Sequence, residues 1–131
     1  MPIERLDPDS MVKMPGLHQT VRVENTLYIA GQVALDENGE LHGEGDVNEQ
    51  IRQVYKNLEN ACKAHGGTLA NMVRTTTYIT EAAYFPAVGK ARQEQYGDDA
   101  PVNATLIVGL AKPEWLVEIE GTASIEMPLP L

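Results

Sequence analysis

Three things are scarce in this 131-residue chain, and each scarcity excludes something. There is one cysteine, Cys62, so no intrachain disulfide can form, and no stretch joins a basic start to an apolar core and a small-residue cleavage site. Together these point to a cytoplasmic protein. No apolar run approaches the roughly 18 residues of a membrane span, which points to a soluble one without a membrane partner. Basic residues are few: ten Lys and Arg against nineteen Asp and Glu leave a net charge of −9. Affinity for a phosphate backbone comes mostly from Lys and Arg, so nucleic acid is disfavoured as a partner. The three histidines, His18, His42 and His65, stand at no metal-ligand spacing, and a lone cysteine adds nothing to a zinc site, so no metal is expected. Around Gly43-Glu-Gly45 there is no phosphate-loop or dinucleotide pattern.

What is present suits one domain over residues 1–131, large enough for a core but too small to enclose a deep substrate cavity within one subunit. A pocket between subunits is the natural alternative. Pro2, Pro8, Pro15 and Gly16 mark residues 1–19 as an irregular arm that becomes ordered by docking. Thr20–Glu24 and Leu27–Ala30 alternate apolar and polar residues about Asn25, a hairpin. Val33–Leu35 and Leu41 flank Asp36–Glu40, where Asn38-Gly39 signals a turn. Asp46 and Glu49 have capping-box spacing, and Val47, Ile51, Val54, Tyr55, Leu58, Ala61 and Cys62 follow at helical spacing up to Gly66-Gly67. On that helix Cys62 reads as a small core residue, and His65 as a cation complementing the helix dipole. Met72–Ile79 is a β-branched strand, Ala83–Gln95 a helix with Pro86 in its first turn, Val102–Leu110 a strand, and Glu114–Glu126 the last strand. The order β-β-β-α-β-α-β-β predicts an α+β fold, a mixed sheet with two helices on one face.

The last strand separates packing from chemistry. Trp115, Val117, Ile119, Ala123 and Ile125 fall on one face; Glu118, Glu120, Thr122 and Glu126 fall on the other. If the helices cover the apolar face, the other meets either water or further subunits, and a closed ring of subunits would create clefts between neighbours. Glu118 and Glu120 lie ~7 Å apart on such a strand, so each perturbs the other's proton affinity where water is excluded, and one can hold or activate a water. The same pair also reads as interfacial or solvated carboxylates.

Four stretches carry a resemblance: Leu27-Tyr-Ile-Ala-Gly-Gln32, Asn57-Leu-Glu-Asn60, Met72-Val-Arg-Thr-Thr-Thr-Tyr-Ile79 and Leu116-Val-Glu-Ile-Glu-Gly-Thr-Ala123. Over nearly its whole length the chain resembles the RidA (YjgF) family. That resemblance implies a chorismate-mutase-like α+β fold, a homotrimer with a central β-barrel, and small-molecule clefts at the subunit interfaces. For the family's catalytic branch it implies a deaminase, hydrolysing enamines and imines to keto acids and ammonia without a bound cofactor. There an arginine shortly after the loop at Pro101 grips the substrate carboxylate, and a glutamate of the Val-Glu-Ile-Glu motif positions water. Glu118 keeps the glutamate position, with Glu120 beside it. The arginine position holds Asn103 when counted from Pro101, or Val102 when counted back from Leu110, and no arginine follows Arg92. Losing a bidentate guanidinium costs ~1.5–3 kcal/mol for each charged hydrogen bond, which points to an altered ligand, with Asn103 bonding a neutral carbonyl or amide, at least as well as to a dead site. The backbone at Gly31 and Gln32 is expected to offer amide donors. Where the family often has an aromatic residue of the arm lining the cleft, this chain offers Leu17-His18. Two readings follow: a hydrolase of imines, enamines or related C–N metabolites in which Glu118 and Glu120 handle water while Asn103, Gly31, Gln32 and His18 contact ligand, or a non-catalytic metabolite-binding, regulatory protein.

Overall fold

A computed structural model describes residues 2–126; Met1 and residues 127–131 lie outside the described residues. The strands are β1 (Ile3–Leu6), β2 (Thr20–Val23), β3 (Thr26–Gln32), β4 (Met72–Ile79), β5 (Val102–Ile107) and β6 (Val117–Ser124), with helices α1 (Val47–Lys63) and α2 (Phe85–Tyr96). They form one sheet in the order β1-β2-β3-β6-β4-β5. Only β4 and β5 pair parallel; α2 supplies the crossover between them, and the other neighbours are antiparallel. This is the mixed α+β architecture that the alternation of periods predicts. No helix among the described residues is long and apolar enough to cross a membrane.

The order β-β-β-α-β-α-β-β is observed, but its first three strands differ from those expected. Ile3–Leu6, assigned to the irregular arm, forms edge strand β1 against β2. Val33–Leu35 is not a strand; a single bridge joins Leu35 to Leu41. The reason is local: Asp36 Oδ1 accepts the amides of Asn38 (2.9 Å) and Glu40 (3.0 Å), so the turn closes on a side chain instead of feeding a ladder. The rest of the arm is irregular yet tied down, with the Gln19 amide donating to Asp7 Oδ1 (2.9 Å) and its side chain to the Val12 carbonyl (2.9 Å).

Helix α1 begins at Asp46, whose carboxylate accepts the amides of Asn48 (3.0 Å) and Glu49 (3.3 Å). Glu49 turns to Arg52 rather than back to Asp46, so only half of the capping box forms. The stripe Ile51, Val54, Tyr55, Leu58, Ala61 and Cys62 is buried, facing Leu27 and Ile29 of β3 and Val117, Ile119 and Ala123 of β6. Burial pushes the Cys62 thiol up to about 11, as befits a core side chain. The helix leaves through Gly66 at φ 82°, and the Gly67 amide returns to the Cys62 carbonyl at 2.9 Å.

His65 departs from the expected surface cation. Its ring is buried, and because the Thr20 hydroxyl donates to the Leu6 carbonyl (2.6 Å), the ring Nε2–H donates to Thr20 Oγ1 at 2.9 Å. Burial holds its pKa below the ordinary histidine value, so it is neutral at pH 7. Trp115 also departs from its place on the packing face: β6 begins only at Val117, and the indole lies partly exposed beneath Lys112 Nζ, 5.6 Å from the ring centre.

Candidate functional site

Strand β6 lies between β3 and β4, and its even-numbered residues point away from the helices. There Glu118 pairs with Tyr78 and Glu120 with Thr76, beside Tyr28 and Thr122. One extra residue on β3 between Ile29 and Gln32 shifts the register against β6, bringing Gly31 against Glu118. A Cβ at position 31 would lie 2.7 Å from Glu118 Oε2 and 2.9 Å from its Cδ, so glycine is what lets the carboxylate lie across the backbone.

This carboxylate forms one wall of a 240 Å³ recess. Val12, Met14 and Leu17 of the arm and Val33 and Leu35 beyond β3 supply apolar sides; Gln19, Gln32 and Gly31 supply the polar ones. Burial raises the Glu118 pKa, and the charge of Glu120 adds to the rise. Such a group holds a proton more readily than a solvated carboxylate, which suits it to proton transfer.

Glu120 opens onto a different hollow, of 270 Å³, with Tyr28, Arg74, Thr76 and Thr122. The Tyr78 hydroxyl donates to Glu120, and that bond raises the phenol pKa. The two carboxylates therefore share a face but not a cavity. Among the described residues, no three His, Cys, Asp or Glu side chains converge as metal ligands would.

The other expected ligand contacts scatter. Gln32 is buried, its amide donating to Gln19 Oε1 (2.7 Å) and the Ala30 carbonyl (2.9 Å), so it fixes the recess wall. His18 lies outside the lining: its Nδ1–H is bound to Asp7 Oδ2 at 2.8 Å, while its neighbour Leu17 is the arm residue that reaches the recess. The Gln19 amide and His18 together hold the Asp7 carboxyl below the usual range.

Asn103 sits on the opposite, helix-covered face. Parallel pairing sets it beside Thr75, and its amide nitrogen faces the hydroxyls of Thr75 and Thr77, each at 2.9 Å, while its oxygen accepts from Arg92 Nη2 of α2 at 2.9 Å. Val102, the alternative position, pairs with Arg74 and is 70% exposed at the sheet edge. Within one protomer neither shares a cavity with Glu118. Sequence reading missed Tyr78 and Arg92. The even-numbered face of β4 carried the signal for Tyr78; Arg92 was grouped with the apolar side of α2, and only the tertiary packing reveals its partners.

Comparison with protein families matches residues 11–125 to the family described as Endoribonuclease L-PSP. The chain is 31% identical over 124 residues to the 2-iminobutanoate/2-iminopropanoate deaminase of Homo sapiens, covering 92% of this chain and 90% of that protein. It is 28% identical over 104 residues to the 3-aminoacrylate deaminase RutC of Acinetobacter baylyi, covering 79% and 82% respectively. Among solved structures, RidA from an Antarctic Psychrobacter superposes with a TM-score of 0.86 at 27% identity, over 93% of this chain and 99% of that one. With the six-stranded order, the bulge at Gly31 and the glutamate pair of β6 already in place, these matches show that the chain belongs to the RidA (YjgF, L-PSP) family.

Proposed function

We propose that the chain is a homotrimeric hydrolase of imines and enamines, with Glu118 handling the attacking water in clefts between subunits. The observation that carries this reading is the Glu118 carboxylate, laid over Gly31 against a mostly apolar recess that raises its proton affinity. The human and Acinetobacter relatives are named for 2-imino acids and for 3-aminoacrylate, compounds that share a carbon–nitrogen double bond or its enamine tautomer.

The step needs little more than water and proton transfer. Water adds to the carbon of a protonated imine, Glu118 takes a proton from it, and the same proton passes to nitrogen. The carbon–nitrogen bond then breaks as the hydroxyl of the adduct gives up its proton, which passes through Glu118 to the departing ammonia, leaving a carbonyl compound and ammonium. No electron leaves the system and no oxidant is needed. Glu120, held by Tyr78, keeps a negative charge on the same face and sustains the basicity of Glu118.

The trimer is supported by what one protomer leaves unfinished. The recess falls short of the ~300–1,000 Å³ usual for ligand pockets, and β5 is an edge strand carrying exposed Val102 and Ile107. A neighbour placed on that edge would cover both and bring its own residues to the recess. The second reading, a non-catalytic metabolite binder, draws on the resemblance, which sets Asn103 or Val102 where the family's catalytic branch carries arginine.

Ammonia release from freshly generated 2-iminobutanoate, 2-iminopropanoate and 3-aminoacrylate, each against its spontaneous hydrolysis, tests the reading. Acceleration of at least one is expected, together with a sedimentation mass of about three 14.3 kDa chains. Ligand-induced thermal stabilisation without acceleration would favour the binder, and a monomeric mass would remove the cleft on which both depend.

A further inference from the structure

The open face and its recess do not account for Arg92. This guanidinium leaves the middle of α2, is partly buried, and reaches Asn103 Oδ1 at 2.9 Å and Thr105 Oγ1 at 3.5 Å. Thr75 and Thr77 pin the other end of the Asn103 amide, so the partner of the guanidinium is itself fixed in orientation. Yet no carboxylate joins the cluster. Lys13, Arg52 and Lys63 each have an acidic partner; among the described residues Arg92 has none, like Arg5, Arg22, Lys56, Arg74, Lys90 and Lys112, and what sets it apart is that its partners are the side-chain oxygens of Asn103 and Thr105. A partly buried cation compensated only by neutral oxygens keeps a strong preference for an anion, and a guanidinium fork bound through one nitrogen still presents donors to a second partner.

Its place in the fold gives that anion a route. Asn103 and Thr105 lie on β5, which has no strand beyond it and carries exposed Ile107 on the same face. We propose that Arg92, with Asn103 and Thr105, is a carboxylate-binding site at the β5 edge, so that the cationic grip on an acidic substrate comes from a helix instead of a strand. For the fate of the bound molecule this rests on the hydrolase reading above, with the Glu118 recess of an adjacent protomer completing the cleft. It does not rest on that reading for binding. It also reverses the expectation that Asn103 selects a neutral ligand: Asn103 orients the arginine, and the favoured substrates are 2-imino acids.

The trial uses the whole protein and three variants, Arg92→Gln, Arg92→Lys and Asn103→Ala, with unchanged circular dichroism as the check on folding. Binding of 2-oxobutanoate is measured by calorimetry beside acetone and inorganic phosphate, and kcat/KM is measured for 2-iminobutanoate and the imine of acetone. The wild type is expected to bind 2-oxobutanoate over acetone and phosphate, and to prefer the imino acid by about 10²-fold. Arg92→Gln brings that preference near unity, mostly through KM; Arg92→Lys, which keeps charge but not the fork, falls between. If 2-oxobutanoate binds to the wild type and not to Arg92→Gln while no imine is turned over, the anion site stands and the hydrolase reading fails. If turnover is seen and Arg92→Gln changes neither binding nor preference, this inference fails and the hydrolase reading survives. Tighter binding of phosphate than of 2-oxobutanoate would also overturn it, by assigning the site to another anion.

Discussion

On the helix-covered face of the sheet, Leu27, Ile29, Val117, Ile119 and Ala123 are almost wholly buried beneath α1. On the other face the residues between them, Tyr28, Glu118, Glu120, Thr122 and Ser124, have no helix over them and carry two carboxylates. Because both faces are read from the same two strands, a shift of one residue would exchange the core for the chemistry, so the bulge before Gln32 has to be local and fixed. One face stabilises the fold by excluding water. The other holds a charge that partial burial disfavours, and so it works against stability where it serves reaction.

That contrast predicts opposite signs for two substitutions. Glu118→Gln is expected to lower kcat by ~10²–10⁴-fold, the usual contribution of a positioned proton-transfer group, while raising the melting temperature at neutral pH. The sign follows from the raised pKa: the folded state holds the Glu118 proton more tightly than the unfolded state, so its contribution favours folding at low pH and turns unfavourable as pH rises through the carboxylate range. The melting advantage of the variant therefore shrinks as pH falls toward about 4. Equal melting at all pH values would show that the carboxylate is solvated. Leu27→Ala, on the covered face, is expected to cost ~2–5 kcal/mol in urea unfolding, whereas Ser124→Ala on the open face stays within ~0.5 kcal/mol.

Much of this was legible in the sequence because period and residue type agreed. The two faces of β6, the α1 stripe and its Asp46 cap, the glycine exit and the Glu118–Glu120 pair all follow from spacing alone. The arm was harder. Ile3–Leu6 has too few alternations to mark a strand, and it is held by pairing with β2, a contact that no local pattern encodes. Asn103 was placed in the right strand and expected to contact ligand, but which face it takes is set by parallel pairing with β4, which puts it on the side away from Glu118 of the same protomer. His65 failed for a similar reason, since its burial comes from Thr20, 45 residues earlier.

A narrower change probes the meeting of the two faces at Gly31. Gly31→Ala places a methyl group where Glu118 Oε2 and Cδ now lie, and the flexible carboxylate must move aside. A displacement of ~1 Å at a reacting group costs ~10²-fold, so kcat should fall by about that amount while urea unfolding changes little. A large loss of stability with activity intact would mean that the glycine serves the strand and not the carboxylate. Smaller again is Asp46→Ala, far from both carboxylates, which removes the acceptor for the Asn48 and Glu49 amides and is expected to cost ~1 kcal/mol with kcat unchanged.

The smallest effect concerns His65, on the covered side, where a titratable group is buried without serving chemistry. Its environment comprises the Thr20 hydroxyl, the Glu4 carboxylate 3.9 Å from Nδ1, and Arg22, which donates to the His65 carbonyl; burial outweighs the attraction of Glu4 and lowers the pKa. Its sign is opposite to that of Glu118. The unfolded chain takes up the His65 proton first, so stability is fully present above ~6.5 and declines as pH falls through the depressed folded value. His65→Gln keeps a donor for Thr20 Oγ1 and does not titrate, so between pH 7.5 and 5.5 it should lose less stability than the parent. Both are best compared in a Glu118→Gln background, where the opposing slope is gone. The lowered carboxyls of Asp7 and Asp36 lose their stabilising contribution only below that window. Identical pH dependence with and without the imidazole would mean that His65 is reached by water, which would contradict its packing against Thr20.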